Sequence, residues 1–340
     1  MKLKNVFMTV VSIAIISVFG LNLYGQYETT KREVCEVESG SVIYLALDES
    51  LSFDEEKYQI EDENIVSVED GMMKGLSSGQ TNITSGCHTY VVNVSDLYSA
   101  PVLNMDKSYL PEGRYTSEEN RYLDSVLEYL IDQAGYQTRA GAVEAARFLT
   151  LRFKYKLNYF YENGRMEEDR YLIDAEGRYY HKGLYLSVSK AFQVEGERNT
   201  SDFWGSPIYE WETGSYTPNG LDCSGFITWA LYNAGFDCGD IGAGPSEGVY
   251  DLTDLGKMVY VSDVDLGEVK CGDLVGLDGH IGMIIGMDED NIYIAESYWV
   301  NDLQVRIYDY AEFIEKSEWY YVIMMDDYYK NEGNYTDFWN

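Results

Sequence analysis

Gly272-Asp273-Leu274-Val275-Gly276-Leu277-Asp278-Gly279-His280-Ile281-Gly282-Met283-Ile284-Ile285-Gly286 decides the fold of this chain. Two apolar runs flank a turn, which predicts a pair of strands with His280 at the start of the second. The two-residue period puts His280, Gly282, Ile284 and Gly286 on one face, and the small residues there leave room beside the imidazole for a substrate. A histidine at a strand end can be purely structural, so the reading turns on what lies upstream.

Upstream stands Asn219-Gly220-Leu221-Asp222-Cys223-Ser224-Gly225-Phe226-Ile227-Thr228-Trp229-Ala230-Leu231. Phe226, Ala230 and Leu231 have helical spacing and Asp222 suits an N-cap, so Cys223 falls in the first turn of a helix. Backbone N–H groups and the positive end of the helix dipole stabilise a thiolate there, and the same N–H groups can donate to an oxyanion. A half-cystine or a small core residue is the other reading of Cys223. A thiolate nucleophile needs a group that holds and returns a proton near neutral pH, and the chain offers only His88, His181 and His280 for that work.

Composition narrows the field. The chain has 340 residues, 45% of them apolar, which is enough for about two folded units and excludes a disordered tail. Its 58 Asp and Glu against 25 Lys and Arg give a formal charge of -33. Such a field repels phosphate backbones, so no nucleic-acid partner is expected. Lys2 and Lys4 precede an apolar run from Val6 to Gly20, the pattern of an export signal. Leu23-Tyr24-Gly25 meets a small-x-small cleavage site only by half. The run extended to Tyr24 approaches the ~20 residues that span a bilayer, so a membrane anchor stays open. Outside the cytoplasm cysteines can pair. Cys35 and Cys87 bracket one β-rich segment, Cys238 and Cys271 fall in another, and one bridge in each would leave Cys223 as a thiol.

Between the signal and the helix of Cys223 lie two further regions. Val42 to Leu47, Asn64 to Val68, Thr81 to Thr84 and Thr89 to Val94 read as short strands, with His88 packed or solvated among them. Thr116 and Glu119 have the spacing of a capping box. Leu123, Val126, Leu127, Leu130 and Ile131 then share a helical face, Gly135 ends the helix, and a second runs from about Arg139 to Phe153. The Tyr-rich stretch from Tyr155 to Tyr185 holds His181, and packing accounts for such clusters more readily than a binding groove. Asp288-Glu289-Asp290-Asn291 lacks an EF-hand spacing and reads as a solvated turn; no zinc-ligand spacing occurs, and no metal or cofactor is expected.

Taken in order, Asp222-Cys223-Ser224-Gly225-Phe226, Gly272-Asp273-Leu274 and His280-Ile281-Gly282 resemble the NlpC/P60 cysteine peptidases of bacterial cell walls, over about Phe203 to Met325. Phe203-Trp204-Gly205 is similar to the aromatic-Trp-Gly element upstream of that family's nucleophile. The resemblance implies an α+β fold with a papain-like catalytic domain, Cys223 as nucleophile and His280 as general base and acid. It also implies a polar residue on the next strand, Asn291-Ile292-Tyr293-Ile294-Ala295-Glu296-Ser297, to orient the imidazole. Glu296 is the choice because a carboxylate accepts the imidazole N–H, with Ser297 as fallback. A two-residue turn at Asp288 and Glu289 would put Ala295 and Ser297 on the face of His280, whereas a three-residue loop to Asp290 would put Glu296 there. Asp222 either only caps the helix or also holds a substrate amine, Ser224 is a neighbouring donor or a helix-start residue, and Trp204 joins them as a substrate-binding candidate.

The stretch Ile65-Val66-Ser67-Val68-Glu69-Asp70-Gly71-Met72-Met73-Lys74-Gly75-Leu76, with Gly79 and Thr81-Asn82-Ile83-Thr84, resembles bacterial Ig-like group 2 modules. The expected organisation is therefore a signal or anchor over 1–25, a small all-β Ig-like domain over 35–97, a helical connector over 112–165 and the catalytic domain over 166–330. The resemblance implies an exported hydrolase at the cell surface, acting on peptidoglycan stem peptides at the bond from D-γ-glutamyl to a diamino acid. An adhesive surface protein with an inactive peptidase-like domain, or a transamidase that uses the same thioester, are the alternatives.

Overall fold

Alternating burial along short strands builds the first part of the molecule. The computed structural model describes residues 40–109, 115–159, 204, 208–210, 215–217, 220–238, 241–244 and 252–335. Seven strands come first: β1 Ser41–Ala46, β2 Ser50–Ser52, β3 Gln59–Ile60, β4 Val66–Glu69, β5 Met72–Gly75, β6 Gly79–Ser85 and β7 His88–Ser95. They form two sheets, ordered β1-β7-β6-β3 and β2-β5-β4. β1 and β7 run parallel, and Ile43, Leu45, Val66, Met73, Ile83 and Val92 fill the space between the sheets. The four strands expected here are present. β2, β3 and β5 are additional, and at two to four residues they are too short for a period to announce them.

The helices follow their caps. Thr116 Oγ1 accepts from Glu119 N at 3.2 Å while the Glu119 carboxylate accepts from Thr116 N at 2.6 Å, a complete capping box. It starts α1, Ser117–Ala134, which buries Leu123, Val126, Leu127 and Ile131 and ends at Gly135. Thr138 caps α2, Arg139–Arg147. The single helix expected as far as Phe153 instead widens to a π-turn over Phe148–Arg152. Arg152 there meets Glu49 at 2.7 Å and Glu144 at 3.4 Å, which ties the turn to the segment between β1 and β2.

A six-stranded, wholly antiparallel sheet carries the rest. Its strands are β12 Lys257–Tyr260, β13 Leu274–Leu277, β14 His280–Met287, β15 Asn291–Tyr298, β16 Asp302–Asp309 and β17 Tyr321–Met324, ordered β12-β17-β13-β14-β15-β16. Leu274, Ile281, Met283, Ala295 and Ile323 point from one face into the main core, where α1, α2 and a third helix, α3 Cys223–Asn233, pack. Val275, Ile284, Ile294 and Val322 point the other way, toward Trp319 and the Phe313 side of α4, Tyr310–Glu315. The fold is thus α+β, as expected. Among the described residues no helix is long and apolar enough to cross a membrane.

The disulfide expectation needs correcting. Cys87 is disulfide-bonded, but Cys238 and Cys271 are thiols that are not joined to each other. Both pack against the main core, and the Cys238 thiol points at Thr228 O, 3.9 Å away, so they act as small apolar groups. The expected export signal, Cys35 and His181 lie outside the described residues, as does the Tyr-rich stretch beyond Tyr159.

Asp273, singled out in Gly272-Asp273-Leu274, is a structural hub. Its Oδ1 accepts from Arg139 Nη1 at 2.7 Å and Met325 N at 2.8 Å, and its Oδ2 accepts from Lys270 N at 2.9 Å. Burial raises its pKa, outweighing those donors, and Arg139 is itself fully buried and also bonded to Asp326. Arg139→Met therefore strands a buried carboxyl and is expected to lower stability by about 3 kcal/mol in urea unfolding. A change within about 0.5 kcal/mol, the size of an ordinary surface substitution, would show that the hub is not structural.

Candidate active site

Helix α3 begins where it does because Asp222, in extended conformation, accepts from Gly225 N at 2.6 Å and from Ser224 Oγ at 3.2 Å. Cys223 is therefore the first helical residue, buried, with its sulfur outside any disulfide. The chain entering the helix is pinned twice. β11, Gly220–Leu221, pairs in parallel with β8, Asn158–Tyr159, and Ser297 Oγ of β15 donates to Leu221 O at 2.6 Å. The segment leading into Cys223 thus lies against the strand that carries Glu296.

On the sheet, the His280 Nε2 and Glu296 Oε2 atoms are 2.6 Å apart, with both side chains buried. Glu296 Oε1 accepts from Gln304 Nε2 at 2.8 Å and lies 3.6 Å from Arg306 Nε. The carboxylate therefore meets an imidazole, an amide and a guanidinium with no water-facing edge, an arrangement that fixes the imidazole's orientation. The ring stacks on Trp319, centroids 5.3 Å apart, and touches Tyr298 at 4.7 Å.

The turn between β14 and β15 does not by itself bring His280 and Glu296 together. Three residues, 288–290, separate the strands, but Met287 pairs with Ile292 and Gly286 with Tyr293. Continued unbroken, that register would set Ser297 on the face of His280. A bulge between Ile284 and Gly286 shifts it by one residue, so that Gly282 faces Glu296 and Ser297 turns to Leu221. The carboxylate of Asp288 holds the turn by accepting from the N–H groups of Asp290 and Asn291 and from Tyr293 Oη. The Tyr293 hydroxyl, with those amides, keeps its pKa below the ordinary aspartate range. Among the described residues no group of three or more His, Cys, Asp or Glu is placed to hold a metal ion.

Cys223 and the His280–Glu296 pair meet the sheet from different sides. Strand alternation puts His280 and Glu296 on the Trp319 face, while Cys223 packs in the main core with Ile281 and Tyr321. They share one end of the sheet. Burial pushes the pKa of the Tyr321 phenol up to about 12, with smaller contributions from Asp278, in the turn before His280, and from Cys223. His280 opens β14 at that end, and Nδ1 is the ring nitrogen that Glu296 leaves. Among the described residues the imidazole's hydrogen bond is with Glu296, and none joins it to Cys223. Contacts between a nucleophile and its base are commonly long before substrate is in place.

The remaining candidates sort by burial. Trp204 is fully enclosed: its indole N–H donates to Asp124 at 2.9 Å, and its ring packs on Phe148, Phe153 and Trp229. It is a core residue, which corrects the expectation that it contacts substrate. Asp222 and Ser224 are both buried in the cap of α3. His88 stands exposed at the start of β7. Sequence reasoning missed Gln304, Arg306, Trp319 and Tyr321. The first two alternate along β16, directly across from β15, and that register was the available signal. No protein-family model matches the chain, and no curated protein matches it either.

The face beside His280 is also filled rather than open. A Cβ on Gly282 would come within 2.9 Å of Ile294, 3.0 Å of the Ala295 carbonyl oxygen and 3.4 Å of Trp319, so glycine lets β15 close against β14 beneath the indole. Gly282→Ala is expected to force Ile294 and the backbone of β15 away from β14, costing about 1–3 kcal/mol in denaturant unfolding. Unchanged stability would mean that β14 and β15 are not tightly packed at Gly282.

Proposed function

We propose that the chain is an exported cysteine peptidase of the NlpC/P60 type, with a papain-like catalytic unit behind an Ig-like module, that hydrolyses an amide bond in peptidoglycan stem peptides. The observation that carries this reading is the buried His280–Glu296 hydrogen bond on strands tied to the segment that delivers Cys223 to the first turn of α3. The bond proposed for cleavage is that from D-γ-glutamyl to a diamino acid. An acidic protein of net charge -33 is compatible with such amine-bearing substrates.

In this mechanism His280 takes the Cys223 thiol proton at Nδ1, the resulting thiolate attacks the scissile carbonyl, and N–H groups at the start of α3 donate to the oxyanion. The tetrahedral intermediate collapses as imidazolium His280 gives its proton to the departing amine, leaving a thioester on Cys223. Neutral His280 then takes a proton from water as the hydroxide equivalent attacks the thioester, and the carboxylic acid product leaves with the thiol restored. Glu296 accepts a hydrogen bond from Nε2–H throughout and stabilises the imidazolium. Asp222 keeps the helix start, and with it the oxyanion donors, in position.

One observation favours a second reading. With Cys223 and His280 on different faces and no hydrogen bond between them, a catalytically silent domain on an adhesive surface protein is the alternative. Digestion of purified peptidoglycan separates the two. Wild-type protein is expected to release stem-peptide fragments identifiable by mass, Cys223→Ala none, and Glu296→Gln on the order of 10²- to 10⁴-fold less per unit time. Equal release by wild type and Cys223→Ala overturns the peptidase reading. Wall binding without release favours the adhesive one, and fragments joined to an added amine point to a transamidase.

A further inference from the structure

Lys107 brings its ammonium to the end of the π-turn, where Nζ donates to Thr150 O at 2.7 Å and to Phe153 O at 2.6 Å. An ammonium has three N–H donors, so one is left over. Burial lowers the pKa of this amine to about 8, and among the described residues no carboxylate is placed to offset that. Buried cations are normally matched by a counter-charge, and the absence of one is notable in a chain with 58 Asp and Glu.

The ammonium lines a cavity of about 140 Å³, several times the ~30 Å³ that one water occupies in the liquid. Lys156 lines it as well, brought there by its own N–H, which donates to Ser108 O at 2.9 Å. Asn104, Asn301 and Gln304 add amide groups, and no Asp or Glu among the described residues forms part of the wall. The Oδ1 of Asn104 already accepts from Asp106 N at 3.0 Å, which leaves its NH₂ to donate. One side of the cavity is the outer edge of β16. The Leu303 N–H points out from that edge and donates to Leu157 O at 3.0 Å, so the Val305 N–H, two residues further on, points the same way.

We propose that this cavity binds a small oxyanion, a carboxylate or phosphate group, which accepts the third N–H of Lys107 and bridges it to Lys156 and the Val305 N–H. Such an anion supplies the counter-charge that the buried ammonium lacks, and the amides of Asn104 and Asn301 suit its remaining lone pairs. Asp302 does not take that place. Its oxygens accept from Tyr109 Oη at 2.5 Å and Tyr159 N at 3.0 Å, and its ion pair with Lys156 is long at 3.5 Å. Gln304 joins the cavity to the candidate active site, because its Nε2 donates to Glu296 Oε1 at 2.8 Å. Anion binding here is nonetheless independent of the peptidase reading and is measured without turnover.

The test is the titration of Lys107 in the full chain by lysine ¹³Cε NMR, first in sodium chloride and then with sodium acetate or inorganic phosphate at constant ionic strength. Loss of a signal in Lys107→Arg assigns it. Should that variant fail to fold, peptide-mapped acetylation of the wild-type amines across pH reads the same midpoint. The midpoint is expected near 8 in chloride and about one pH unit higher with acetate, phosphate or both, while the exposed Lys316 stays unmoved. A rise with only one of the two anions identifies the group that the site takes. Lys156→Gln removes the second cation but keeps the Thr150 and Phe153 contacts, and is expected to need several-fold more anion for the same rise. No rise with either anion overturns the proposal. So does an unaltered response in Lys156→Gln, which would put the anion outside this cavity.

Discussion

A single extra residue in one strand governs which side chain the histidine meets. Because strand neighbours alternate between faces, the bulge at Ile285 exchanges Ser297 for Glu296 beside His280 and, by the same step, turns Ser297 toward Leu221. The imidazole gains a carboxylate, and the segment before Cys223 gains an anchor. A regular hairpin with the same turn could supply neither. The Asp288 turn and the bulge are therefore the features that the candidate site depends on, although neither touches the reacting atoms.

The surroundings support that geometry from both sides of the sheet. On one side Trp319 and Tyr298 enclose the imidazole, and Gln304 and Arg306 take up the second oxygen of Glu296. A carboxylate so buried is tolerable only because each of its oxygens has a partner. On the other side the Asp222 cap and the β8–β11 pairing fix the start of α3, and the Arg139–Asp273 pair locks β13 and β17 to α2. The rigidity of the site thus comes from hydrogen bonds that cross between elements far apart in sequence.

Much of the local structure was legible in the residues. Thr116 with Glu119, Asp222 before Cys223 and the apolar runs around Asp278 each set a cap or turn by short-range chemistry, and the helices and strands formed there. The strands carrying His280 and Glu296 were likewise legible, but their mutual register was not, because a bulge leaves no mark in a period-two pattern when Ile284 and Ile285 are both apolar. Trp204 misled for a related reason: an aromatic next to glycine looks the same whether its ring lines a groove or fills a core. The space beside Gly282 looks open in the strand pattern because Trp319, which covers it, lies more than thirty positions later. The Cys238–Cys271 pairing failed because placement in one β-rich segment does not bring two sulfurs together.

The central claim is that Cys223 becomes acylated with the help of His280 despite approaching from the other face of the sheet. Acid-quenching the protein during reaction with a purified stem peptide, followed by peptide mass mapping, tests it most directly. The account predicts a thioester adduct on the Cys223 peptide that accumulates in wild type and is absent from His280→Ala. No adduct in the wild type, or one that forms equally in His280→Ala, would contradict it.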